Sequence, residues 1–194
     1  MEEHINKSLR VKVTYTDAAG TRGYINSNPV IIYAQDTTVP TITNSQISSD
    51  GSKLILSFNE NISWSSGNDF SSLNVTIDES SVSPASNPVI NPVIAIDTAG
   101  SELQATLSDK VLSGQRVNLD YEGSIQSIKD LSGNYLNTFS FQSVTNISNV
   151  IGFVNGQAYE GDFHEMDNGM KMTGASHGSG TCLLYTSPSP RDNR

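Results

Sequence analysis

Oxygen donors dominate the chemistry this sequence could carry. Asp36 stands in an apparent linker, Glu60 at the end of an apolar alternating run, and Asp130 and Asn134 in a turn. Carboxylates and amide carbonyls in such places are the ligands a calcium ion takes, and they need no cysteine. Asp36, Glu60, Asp130 and Asn134 are therefore the candidate metal ligands and Ca2+ the candidate cofactor. A second reading needs no ion. Asp130 and Asn134 can close an Asx-type turn on their own backbone, with Glu60 a solvated charge at a strand end. The Asp-x-Asp-x-Asp-Gly pattern of an EF-hand and the Gly-Gly-x-Gly-x-Asp nonapeptide repeat are both absent from the sequence, so a calcium site here is of a looser kind.

Nitrogen and sulfur donors are scarce. The histidines are His4, His164 and His177, and the one cysteine is Cys182. His164-Glu165 starts like a zinc-protease motif, but the second imidazole of His-Glu-x-x-His must follow one helical turn later, and position 168 is Asn. His164 and His177 could still ligate a metal with Glu165 or Asp167 as a third group; the plainer alternative is a pair of hydrogen-bonded structural residues. There is no Gly-x-Ser-x-Gly elbow, and Gly174 to Gly180 lacks the Lys-Ser/Thr ending of a phosphate loop. Two carboxylates across a cleft would need no local motif, but no cluster marks a cleft, and no catalytic residue is expected. Twenty acidic against eleven basic side chains, a net charge of -9, argue against nucleic acid, whose affinity rests on Lys and Arg neutralising phosphates. Trp64, the sole tryptophan, reads either as an adhesive contact or as a cover over one end of the fold. The sequons at Asn6, Asn61, Asn74 and Asn146 are of the kind that arise by chance in a chain rich in Asn, Ser and Thr.

These residues must be positioned by strands. Apolar residues fall in short alternating runs, the pattern of half-buried antiparallel strands, and helical periodicity is almost absent. Candidate strands are Leu9 to Thr16, Val30 to Tyr33, Thr41 to Ile47, Lys53 to Phe58, Leu73 to Ile77, Val89 to Ile96, Glu102 to Leu107, Arg116 to Tyr121 and Asn137 to Val144. Gly- and Asn-bearing turns separate them, and one helical turn is allowed at Ser65 to Phe70. This rhythm predicts two packed antiparallel sheets. The expected core is Leu54, Leu56, Phe58, Val75, Ile77, Ile94, Leu103, Leu107, Val117, Leu119, Tyr121 and Phe139. Asp36-Thr37-Thr38-Val39-Pro40 interrupts the pattern as a linker. Too few strands precede it to bury a core, so residues 1–35 read as the tail of an upstream domain.

The run Val11 to Thr21, with its Tyr15-Thr16-Asp17-x-x-Gly20 centre, resembles the closing hairpin of cadherin-like and Ig-like repeats in large bacterial surface proteins. Residues 36–146 resemble the bacterial Ig-like repeat of the SwmB type: the Asp36-Thr37-Thr38-x-Pro40 opening, the Leu54-x-Leu56-x-Phe58-x-Glu60 strand, and the Asp130-x-x-Gly133-Asn134 turn. The segment 147–181, with Tyr159-x-Gly161-x-x-His164 and Met172-x-Gly174-x-x-His177, resembles a short module found near the ends of phage virion and other surface structural proteins. Residues 182–194 resemble translated sequencing-adapter read-through, and setting them aside removes the only cysteine.

The expectation is thus an all-β protein: an Ig-like antiparallel β-sandwich at 36–146, a partial upstream β-hairpin at 1–35 and a small Gly-rich β appendix at 147–181. The resemblance implies a non-catalytic structural or adhesive repeat of a large extracellular or cell-surface protein, with calcium rigidifying the linker. Its partners would be neighbouring Ig-like repeats and a surface or glycan ligand, with no nucleic acid and no membrane insertion. The alternative is a phage virion protein whose Ig-like domains decorate a capsid or tail. Met1 is followed by Glu2 and Glu3 and not by a basic and then apolar leader, so the chain is expected to be either cytosolic or a fragment of something longer, and the orphan hairpin at one end and the adapter-like tail at the other favour the fragment.

Overall fold

The computed structural model describes residues 8–31, 35–78, 89–178 and 180–186. The chain forms two compact units, Met1–Thr38 and Val39–Arg194.

In the first unit, β2 (Lys12–Thr16) and β3 (Arg22–Asn26) form an antiparallel hairpin in register from Lys12↔Asn26 to Thr16↔Arg22, while β1 (Ser8–Leu9) pairs with β4 (Val30–Ile31). Asp17 closes the hairpin: its Oδ1 accepts the N–H groups of Ala19 at 3.0 Å and Thr21 at 2.8 Å. The expected turn is present, but its second strand is Arg22–Asn26, and not the run from Val30, of which residues 32–34 lie outside the described residues. Val13, Tyr15, Tyr24 and Ile25 are exposed, as befits a two-stranded ribbon, which has no second layer to bury them against.

The second unit is all-β and sandwich-like. Its strands are β5 (Ile42–Ile47), β6 (Lys53–Phe58), β7 (Ile62–Trp64), β8 (Leu73–Asp78), β9 (Val89–Ile90), β10 (Val93–Ala99), β11 (Glu102–Leu107), β12 (Arg116–Tyr121), β13 (Ile128–Asp130) and β14 (Phe139–Asn146). Eight of them make one curled sheet in the order β10-β11-β6-β5-β14-β12-β8-β9. The curl turns on β14, which pairs antiparallel with β12 through Val117↔Val144 and then, at its end, parallel with β5 through Thr145↔Gln46 and Asn146↔Ile47. The expected all-antiparallel pairing therefore gives way at this one junction.

Burial alternates with the period of two that a pleated strand imposes. Leu54, Leu56 and Phe58 on β6, Leu103, Ala105 and Leu107 on β11, Leu73, Val75 and Ile77 on β8, and Val117, Leu119 and Tyr121 on β12 join a single core. Phe139 is half-buried and stacks on Tyr121 at 5.7 Å. Ile94 departs from expectation: it is 56% exposed, and Val93 is buried instead. A β-bulge is the cause, because Val93 pairs with Leu107 and Ala95 with Thr106, leaving Ile94 as the extra residue that inverts the alternation. Nor is Ser65 to Phe70 helical. Gly67 sits at φ 58°, which ends any right-handed turn there, and the one helical element among the described residues is a 3-10 turn at Gly123–Ile125.

The appendix is a pair of hairpins. β15 (Gly152–Val154) and β16 (Gln157–Tyr159) are joined by Asn155-Gly156, both at positive φ, the two-residue connection whose twist suits a hairpin. β17 (Phe163–Glu165) pairs with β18 (Lys171–Thr173). Leu112, Val150 and Phe153 form a second small core under it. Residues of the final segment also pack here, through bridges Phe153↔Tyr185 and Met172↔Leu183. Among the described residues no helix is long and apolar enough to cross a membrane.

Candidate metal centre

One end of the sandwich brings Glu60 and Asp130 together. β7 and β13 form a separate two-stranded ribbon in register Ile62↔Asp130, Ser63↔Lys129 and Trp64↔Ile128. Ile62 and Ile128 turn into the core and anchor the ribbon. Glu60 lies two residues before β7 and Asp130 at the end of β13, and the Ile62↔Asp130 pairing brings them together: a carboxylate oxygen of each lies within 4.8 Å of the other. The chain enters the sandwich at this same end, where Thr41 and Asn59 are locked by two hydrogen bonds. The Thr41 N–H donates to Asn59 Oδ1 at 2.7 Å, and the Asn59 N–H donates to the Thr41 carbonyl at 3.1 Å.

Asp130 is only 2% exposed, yet it is well provided with donors. Its Oδ1 accepts from the backbone N–H groups of Ser132 and Asn134, each at 2.8 Å, and its Oδ2 from Asn134 Nδ2 at 2.8 Å. Burial pushes the carboxyl up, but the Asn134 side chain and the backbone N–H groups of Asn134, Ser132 and Gly133 outweigh it and hold the group below the usual carboxylate range. The result is a buried anion at neutral pH, aimed by a five-residue turn. The turn reading of Asp130 and Asn134 is thus realised in full, with Asn134 as the residue that orients Asp130. Glu60 is half-buried, and its Oε1 accepts from Asn59 Nδ2 at 3.4 Å. Asp36 belongs to the first unit, where its Oδ1 accepts the Thr38 N–H at 2.9 Å. The donor set of Glu60 and Asp130 is oxygen alone, which suits a hard cation such as calcium and does not suit one that prefers thiolate or imidazole.

Sequence reasoning missed the residues that hold this end in place. The Tyr121 hydroxyl accepts the Ile128 N–H at 3.1 Å and Ser127 Oγ–H at 3.3 Å, and Ser127 Oγ lies 2.6 Å from Ser72 Oγ. Nothing in the local pattern marks a tyrosine as the anchor of a strand seven residues on. Asn59 had a weak signal, as a turn-forming residue directly after an alternating run.

The other sequence candidates fall elsewhere. Trp64 packs against the core, donates its Nε1–H to the Gly67 carbonyl at 2.9 Å and meets Phe70 at 6.1 Å, so it covers an end of the sandwich. His164 and His177 come together edge to face, with ring centroids 5.6 Å apart. Glu165 and Asp167 do not join them in any three-ligand group among the described residues. Neighbouring positions on an extended strand face opposite sides, which takes Glu165 away from His164. A concavity of about 500 Å3 between Leu112 to Gln115 and the appendix has Lys171 and Tyr185 as its titratable groups, with no carboxylate or imidazole in its lining. Compared with protein-family models, curated proteins and solved structures, the chain matches none.

Proposed function

We propose that residues 36–146 are a structural, non-catalytic Ig-like repeat of a larger extracellular or cell-surface protein, joined end to end with like repeats and stiffened at its entry by calcium. The observation that carries this reading is the placement of Glu60 beside the buried carboxylate of Asp130, at the end of the sandwich where the chain enters. In this reading Glu60 and Asp130 supply the charge, Asn134 holds Asp130 in orientation, and backbone carbonyls or water complete the six to eight oxygens calcium takes. A cation at the end where the chain enters would stiffen that end of the sandwich, which is what a stalk of repeats requires. The surplus of acidic residues keeps such repeats apart and soluble.

Thermal unfolding in millimolar calcium and in excess chelator tests it. A ligand that binds only the folded state raises the melting temperature, so chelation is expected to lower it, and Asp130→Asn or Glu60→Gln is expected to abolish the difference. An unchanged cooperative melt would remove the cation from the proposal and move weight to the virion-decoration reading.

A further inference from the structure

We propose that His164 and His177 hold a divalent transition metal of the kind imidazole favours, with zinc as its simplest representative. His164 lies on β17 opposite Met172, and its Nδ1 stands 2.8 Å from the Gly174 carbonyl oxygen. A carbonyl oxygen only accepts, so Nδ1 carries the ring proton and the neutral ring presents a lone pair at Nε2. That Nε2 is buried and has no hydrogen-bond partner. A buried acceptor left unpaired is unfavourable and calls for an explanation. The second imidazole offers one: the exposed His177 ring stands against the His164 ring at 5.6 Å between centroids with the ring planes 85° apart. Metal–nitrogen bonds of about 2.0–2.1 Å put the centroids of two rings sharing one ion roughly 5–6 Å apart. The hold of a backbone carbonyl on the far nitrogen is also the arrangement that fixes the tautomer and aim of a ligating histidine. Gly174 sits at φ 87°, a conformation that side-chain-bearing residues rarely adopt, and so the turn presenting both its carbonyl and the approach to His177 is tied to glycine. Two protein ligands leave the remaining positions to water, which implies an exchangeable ion and modest affinity. The site lies on the appendix and owes nothing to Glu60 and Asp130.

The test is a zinc titration of the untagged full chain in millimolar calcium, so that oxygen-donor sites are already filled. It is followed by calorimetry and by the carbon-bound imidazole proton signals. One zinc per chain is expected, moving the His164 and His177 signals together and leaving His4 unmoved. His164→Gln and His177→Gln should each weaken zinc by at least about tenfold, with β17 and β18 amide signals confirming that the hairpin persists. Zinc that leaves the two ring signals of the wild-type chain unmoved would overturn the proposal. So would undiminished affinity in both variants, which would place the ion elsewhere.

Discussion

Replacing Tyr121 by Phe isolates the anchor of the candidate site. The ring is 1% exposed and keeps its packing against Phe139 in the variant, so no cavity larger than one oxygen is created. What is lost is the acceptor for the Ile128 N–H and for Ser127 Oγ. Ile128 is fully buried, and a buried donor stripped of its partner costs about 1–3 kcal/mol. The expected destabilisation is therefore about 2 kcal/mol. For a unit of this size that is a melting-temperature drop of roughly 4–8 °C. Urea unfolding is the assay: the midpoint should fall with an unchanged m-value, because the surface exposed on unfolding is the same. A double-mutant cycle with Ser127→Ala should be non-additive, since the two hydroxyls share one network with Ser72. A loss below about 0.5 kcal/mol would refute the reasoning. It would show that the Ile128 N–H has another partner and that β13, with Asp130 at its end, is held by the core alone.

Three further perturbations read other parts of the fold. Gly51 has φ 72°, and a Cβ there would run into the Val111 carbonyl and come within 2.9 Å of Ser148 Oγ; Gly51→Ala should cost at least about 2 kcal/mol in urea unfolding, and a cost under half of that would mean the loop yields freely. Phe141 is 82% exposed at φ 57°, so Phe141→Asn should leave stability unchanged or raise it by up to about 1 kcal/mol, whereas a clear loss would show that the ring packs after all. The Asp50 carboxyl is held well below the usual range, first by the Ser48 hydroxyl and then by that of Ser52, against the opposing effect of burial, with the Ser52 N–H and Lys110 assisting. Its folded value lies below its unfolded one, so its contribution is present above the ordinary carboxylate range near 3.8 and is lost as pH falls through and below it. Unfolding midpoints measured from neutral pH downward should fall less steeply in Asp50→Asn, by a small margin because the side chain is half exposed; parallel profiles would remove Asp50 from the acid limb.

What the sequence made legible and what it hid divide along the range of the interactions involved. Lys53–Phe58, Glu102–Leu107 and Arg116–Tyr121 occur with the bounds their alternation predicts, because each has one buried and one wetted face and so writes its own period. Ile94 was misplaced because a bulge is set by the opposing strand, here through Leu107 and Thr106, and alternation within one strand cannot report it. The ribbon of β7 and β13 is three residues a side, too short for any period, and owes its existence to Tyr121 and to the core beneath Ile62 and Ile128.

The candidate site divides in the same way. Asp130 and Asn134 were readable because a turn that closes over five residues is a local event. The approach of Glu60 to Asp130 follows from the register Ile62↔Asp130, a long-range fact. His164 and His177 are readable as a pair of donors, but their edge-to-face meeting without Glu165 or Asp167 depends on the β17–β18 register and on the backbone sign at Gly174. The same distinction orders the experiments. A substitution inside the Asp130 turn disturbs the turn whether or not an ion binds, whereas Glu60→Gln changes a residue outside it. Glu60→Gln is therefore the cleaner discriminator. If calcium bridges the two carboxylates, losing the Glu60 charge should remove the calcium response while leaving the Asp130 turn and the metal-free stability intact.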